Sequence, residues 1–153
     1  MCIQVGEIAM SGPQPMTTVL IVDDDQAIAD TLAVIFRMHG YDARVAYSAE
    51  QAIDNIASCV PDLALLDVNL PGMNGIDLAI VMKANHPDCH MLLVSGHEKT
   101  GSLLEEAAKK GHMFDILPKP IHPTFILERA KGLLTASREG AMATLTDYPA
   151  PIS

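Results

Sequence analysis

Five residues of one short set of types could do chemistry together: Asp23, Asp24 and Asp67, Ser95, and Lys119. Each follows an apolar run, namely Val19-Leu20-Ile21-Val22, Leu63-Ala64-Leu65-Leu66, Met91 to Val94, and Met113 to Leu117. Three carboxylates brought close together repel and raise one another's pKa unless a cation joins them. Magnesium, hard and oxygen-seeking, would settle there while keeping some of its waters. A carboxylate beside such an ion can attack phosphorus and become an aspartyl phosphate. The new charge then needs an ammonium and a hydroxyl for the phosphoryl oxygens, and Lys119 and Ser95 supply them. An Asp at the end of a strand is by itself most often a loop or cap residue. Five fitting residue types after successive apolar runs are a different matter.

To meet, these residues must be positioned by elements whose ends share one edge. The first apolar run suits a strand buried on both faces. Ile28, Leu32, Ile35 and Phe36 fall on one helical stripe that Gly40 closes. A second strand at about Ala43 to Tyr47 leads to Ser48, a helix cap that Gln51 can reach back to, with Ala52, Ile53 and Ile56 facing the core. The third strand ends in Asp67, and Pro71-Gly72 separates it from a helix over Ile76 to Lys83. Leu103, Leu104, Ala107 and Ala108 mark a fourth helix ended by Gly111, and the last helix runs from Pro123 to Leu134. Strands alternating with helices predict an α/β fold, a parallel sheet with helices on both faces. In such a doubly wound sheet, ligands sit at the carboxyl ends of the strands, where the polar residues collect.

Length and composition agree with one domain. The chain has 153 residues, of which 49% are hydrophobic and 4% aromatic, with no Trp, so the core must be aliphatic. Residues 1–16 read as a loose leader, 17–136 as the domain, and 137–153 as a flexible tail with no output domain. The formal charge is −9, from 10 Lys plus Arg against 19 Asp plus Glu, which argues against binding a nucleic-acid backbone. No apolar run approaches the roughly 20 residues that span a bilayer, so no membrane role and a cytoplasmic location are expected. Cys2, Cys59 and Cys89 form no CxxC pair and are read as reduced thiols. Neither G-x-x-x-x-G-K-[ST] nor G-x-G-x-x-G occurs, which excludes the two common phosphate loops. On the third helix, Ile76, Ile80 and Val81 put apolar groups where a solvated helix would carry charge. A partner surface or homodimer contact is one reading, scattered surface aliphatics the other.

Val22-Asp23-Asp24, Leu66-Asp67-Val68-Asn69-Leu70-Pro71-Gly72-Met73-Asn74-Gly75, Val94-Ser95-Gly96 and Leu117-Pro118-Lys119-Pro120 together resemble the receiver domains of two-component response regulators. The resemblance covers about residues 17 to 136 and implies a flavodoxin-like (βα)5 fold with a five-stranded parallel sheet in the order 2-1-3-4-5. It implies that Asp67 is the phosphoacceptor and that Asp24 and Asp67 ligate Mg2+ with the main-chain carbonyl of Asn69. Asp23 would help through water, and Ser95 and Lys119 would contact the phosphoryl group. Asp25 matches no regular ligand. Lys119-Pro120 resembles the family's cis peptide, and Asn69 and His97 resemble positions that tune phosphate lifetime. The expected donor is a sensor histidine kinase or histidine phosphotransfer protein. The output would pass to another, unknown protein, either as a phosphorelay step or as a docking switch, without enzymatic turnover.

One position departs from the pattern: Ile116 stands where such families usually carry Tyr or Phe, and an isoleucine cannot make the inward swing of that aromatic ring. Phe114, two residues earlier on the same side of the strand, reads as ordinary packing. Two other classes stay open. A haloacid-dehalogenase-type phosphatase also uses an Asp nucleophile, but Asp23-Asp24-Asp25-Gln26-Ala27 lacks that family's closing Thr or Val. A pseudo-receiver would keep the fold as a binding module without the chemistry.

Overall fold

The structure is a computed structural model and describes residues 16–96, 100–111 and 114–138. Its elements alternate throughout: β1 (Thr18–Val22), α1 (Gln26–Met38), β2 (Asp42–Ala46), α2 (Ala49–Ser58), β3 (Leu63–Asp67), α3 (Gly75–Asn85), β4 (His90–Ser95), α4 (Thr100–Lys109), β5 (Asp115–Pro118) and α5 (Pro123–Arg138). All strand pairs are parallel, in the order β2-β1-β3-β4-β5. The chain therefore turns from one side of β1 to the other, and the switch point lies between β1 and β3.

The apolar runs are central strands because successive side chains point to opposite faces and both faces are covered. Leu20, Val22, Ala64, Leu66 and Leu93 belong to the core under α2, α3 and α4. Val19, Ile21, Leu63, Leu65, Leu92 and Val94 belong to the core under α1 and α5. The expected α/β class and strand order are both present.

Several phases differ from the sequence expectation. On α1 the buried residues are Ala29, Ala33 and Phe36, while Ile28 is 39% exposed. Two alanines let the helix close down on the sheet, which turns the buried arc one position away from the larger aliphatics. Ile53 is likewise exposed while Ala49, Ala52 and Ile56 are buried, and on α4 Ala107 is buried while Ala108 is exposed. Leu103 and Leu104 have side chains outside the described residues, as do Met113 and residues 1–15 and 139–153.

The reading of α3 as a partner surface is corrected. Ile76 is buried and Ile80 packs against the core; only Val81 of the three is exposed. α3 lies across β3 and β4 and also against α4, so more than one flank is covered, while Asp77, Val81 and Lys83 to Asn85 stay exposed. The expectation of three reduced thiols holds for Cys89, which is free and buried, with burial pushing its pKa up to about 12. It does not hold for Cys59, which is disulfide-bonded. Spacing along the chain does not reveal which cysteines a fold brings together.

The α2 cap forms as expected, with one change of donor. Ser48 Oγ accepts from Gln51 N at 3.1 Å, and Gln51 Oε1 accepts at 2.9 Å from Tyr47 N rather than from Ser48 N. Ser48→Ala is expected to cost about 1 kcal/mol of stability, measured as a lower urea midpoint at unchanged slope.

Candidate functional site

The carboxyl edge is fixed by backbone bonds that reach past the strands. Asp23 N donates to Ala46 O at 3.1 Å, Val68 N to Val94 O at 3.0 Å, and Lys119 N to Ser95 O at 2.8 Å. Each places a site residue against its neighbour one step beyond the ladder, so the residues that end the strands converge.

Carboxylate oxygens of Asp23, Asp24 and Asp67 all lie within 4.8 Å of one another. Asp23 and Asp67 are buried and Asp24 is exposed. Lys119 Nζ approaches Asp23 Oδ2 at 3.4 Å and Asp67 Oδ2 at 3.5 Å. One ammonium against three carboxylates leaves negative charge uncompensated, and burial raises the Asp23 pKa above its ordinary value, with the Asp67 charge adding to it. The Asp25 backbone N–H and Lys119 oppose the rise without cancelling it. A purely oxygen donor set with excess charge fits a hard divalent cation.

Ser95, buried at the end of β4, neighbours Lys119 through the Ser95 carbonyl. Asn69 stands on the loop after β3, where its N–H donates to Asp67 Oδ1 at 3.1 Å. Asp25 is the N-cap of α1, its Oδ1 accepting from Ile28 N at 3.3 Å. The Lys119-Pro120 bond is cis. Ile116 and Phe114 both pack against the core under α4, and Lys83 Nζ lies 5.8 Å from the centre of the Phe114 ring. Phe114 is thus a packing residue, as expected; His97 lies outside the described residues.

Two glycines of the site were not legible as positioning residues. A Cβ on Gly75 would overlap the carbonyl oxygen of Asp67 and sit 2.8 Å from Val68 Cα, so the start of α3 is pressed directly against the end of β3. A Cβ on Gly96 would stand 3.3 Å from Lys119 Cβ. The signal was an Asn-Gly pair before a helix, which reads equally well as a plain cap. Beside the carboxylates a cavity of about 470 Å³ opens between α1 and the β5–α5 loop, walled by Ile28, Leu32, Ile121, Pro123 and Ile126.

A five-stranded sheet of this order, with acidic residues after β1 and β3, a hydroxyl after β4 and a lysine after β5, defines the receiver class. The chain belongs to the response regulator receiver domain family, whose model matches residues 19–131. Among curated proteins it is 32% identical over 121 residues to the DNA-binding response regulator MtrA of Mycolicibacterium smegmatis, covering 79% of this chain and 52% of that protein. It is 35% identical over 126 residues to the nitrogen assimilation regulatory protein NtrX of Azorhizobium caulinodans, covering 79% and 27%. A CheY-like receiver domain protein from Methanospirillum hungatei superposes with a TM-score of 0.74 at 29% identity, over 82% of this chain and all of the other. The chain thus spans about half the length, or less, of the curated relatives it matches, and the whole of a solved receiver. Receiver domains of two-component systems are signalling switches, not turnover enzymes. Among the described residues no helix is long and apolar enough to cross a membrane.

Proposed function

We propose that this domain is a cytoplasmic phosphoacceptor switch whose acceptor is Asp67. The observation that carries the reading is the buried Asp67 carboxylate held between the Lys119 ammonium and the Asp23 and Asp24 carboxylates at the sheet's switch point. An oxygen of Asp67 attacks the phosphorus of a phosphohistidine presented by a sensor histidine kinase or a histidine phosphotransfer protein. The O–P bond forms as the N–P bond breaks, and the imidazole leaves. Asp24, Asp67 and the Asn69 carbonyl would hold Mg2+, with Asp23 helping through water, and the ion would supply positive charge for the phosphoryl oxygens. Lys119 moves its ion pair from the carboxylates to the phosphoryl group, and the Ser95 hydroxyl donates to another of its oxygens.

Before transfer, Lys119 is shared by two carboxylates; afterwards the acceptor carries added charge, and the balance of contacts across the carboxyl edge changes. Such a change of local charge biases a two-state equilibrium and so alters the surface another protein reads. The mycobacterial relatives are DNA-binding response regulators, of whose length this chain spans about half; its own charge of −9 favours a protein over nucleic acid as the receiver of its signal.

Intact mass after incubation with Mg2+ and a small phosphoramidate tests the reading. The expected result is one added phosphoryl group, absent in Asp67→Asn and absent after chelation. An unmodified mass under conditions that label a control receiver refutes it, and steady release of phosphate from a small phosphate ester would favour the phosphatase reading instead.

A further inference from the structure

α1 carries more apolar surface than its packing on the sheet uses. Ala27, Thr31, Val34 and Met38 are exposed, Val34 by 50% and Met38 by 75%, on the side of the helix away from buried Ala29, Ala33 and Phe36. Their spacing of four, three and four residues is that of a two-helix seam, the a and d positions of a heptad. With Thr31 and Val34 in the seam, Asp30 and Arg37 both fall on one flanking position, and Ile28 and Ile35 on the other.

That arrangement is self-complementary in one orientation only. In an antiparallel pair with its two-fold axis between Leu32 and Ala33, Thr31 faces Val34 of the second copy and Ala27 faces Met38. Along one flank Asp30 then meets Arg37, twice over by symmetry; along the other Ile28 meets Ile35. A parallel pair would bring neither match. Both charged side chains are already held towards the β2 side. Asp30 Oδ1 accepts from Tyr47 Oη at 2.6 Å, and Arg37 donates from Nε and Nη2 to Ala43 O at 3.1 and 2.7 Å. Anchored in this way, they lose less freedom on meeting a partner.

We infer that the outward face of α1 is a self-association surface, two copies of the chain pairing through antiparallel α1 helices. A 13-residue helix is about 20 Å long, so its seam falls short of the roughly 800 Å² per partner of a stable complex. The dimer is therefore transient. α1 also forms one wall of the cavity beside Asp67 through Ile28 and Leu32, so pairing would narrow the approach to the acceptor.

Sedimentation equilibrium of the full chain, under reducing conditions and from micromolar to millimolar concentration, tests this. The expected mass climbs from one chain towards two, and Val34→Glu, at a position half exposed in the monomer, weakens the association at least about tenfold. Asp30→Arg and Arg37→Asp, each shown to be folded by circular dichroism, are separately monomeric. Their equimolar mixture associates again, because each copy then supplies the charge the other lacks. A one-chain mass at every concentration overturns the inference. So does a dimer that Val34→Glu leaves unchanged, since its contact would lie on another face.

Discussion

Gly75→Ala is expected to destabilise the domain by about 3 kcal/mol and to cut phosphorylation sharply in the protein that remains folded. Helix propensity alone gives the opposite sign, because alanine in a helix is favoured over glycine by up to about 1 kcal/mol. Here the added methyl would overlap the Asp67 carbonyl oxygen and crowd Val68 Cα, both backbone atoms that cannot swing aside. Gly75 N also donates to Val68 O at 2.9 Å, so the two segments cannot separate without losing that bond. Relief would have to come from moving the start of α3 away from the end of β3, and with it the acceptor. Gly132→Ala in α5 is the matched control: beyond its own turn of helix no atom lies within 4 Å of its new Cβ, and propensity should raise stability by up to about 1 kcal/mol. Urea unfolding of the two variants, with intact mass after phosphodonor treatment, separates the effects. Equal midpoints would mean that contact with Asp67 does not constrain this turn.

What could be read without coordinates divides along physical lines. The strands were legible because a strand covered on both faces must be apolar at successive positions, and Val19 to Val22 and Leu63 to Leu66 are. The carboxylate cluster was legible because parallel strands must end on one edge. Helix phase was less so. Periodicity weighs side chains by hydrophobicity and pointed to Ile28, whereas packing selected Ala29 and Ala33 for their small size. The same confusion made Ile76 and Ile80 look like surface residues, when α3 is flanked on more than one side. Gly75 and the state of Cys59 depend on approaches between segments, which no local pattern encodes.

Asp23→Asn is expected to make the metal-free protein more stable and to remove about half or more of the stabilisation that Mg2+ gives the wild type. Asp23 is almost fully buried, and its carboxyl titrates above its ordinary value, first because burial disfavours the charge and then because Asp67 adds a second one. A raised carboxyl binds protons in the folded chain that the unfolded chain has already lost. Stability of the metal-free protein therefore falls as pH rises from the ordinary value near 3.8 through the raised one, and the cost of ionised Asp23 persists above it. Asparagine is nearly the same shape, and its carbonyl can still accept from Asp25 N, now 2.9 Å from Asp23 Oδ1. Lys119 keeps its contact with Asp67, 3.5 Å away. What the substitution removes is one of the charges that a divalent cation would offset. Wild-type protein at a Mg2+ concentration a hundred times its Kd should gain about 2.7 kcal/mol, and the variant, binding at least about tenfold more weakly, should gain about 1.4 or less at that concentration. Thermal melts with chelator and with Mg2+, repeated from pH 4 to 8 where isolated carboxylates finish ionising, read both effects. The two curves should cross: the variant melts higher in chelator, the wild type higher in Mg2+. A variant that melts lower in both would mean that Asp23 stabilises the fold through its hydrogen bonds and that the acidic cluster carries no burden for a cation to relieve.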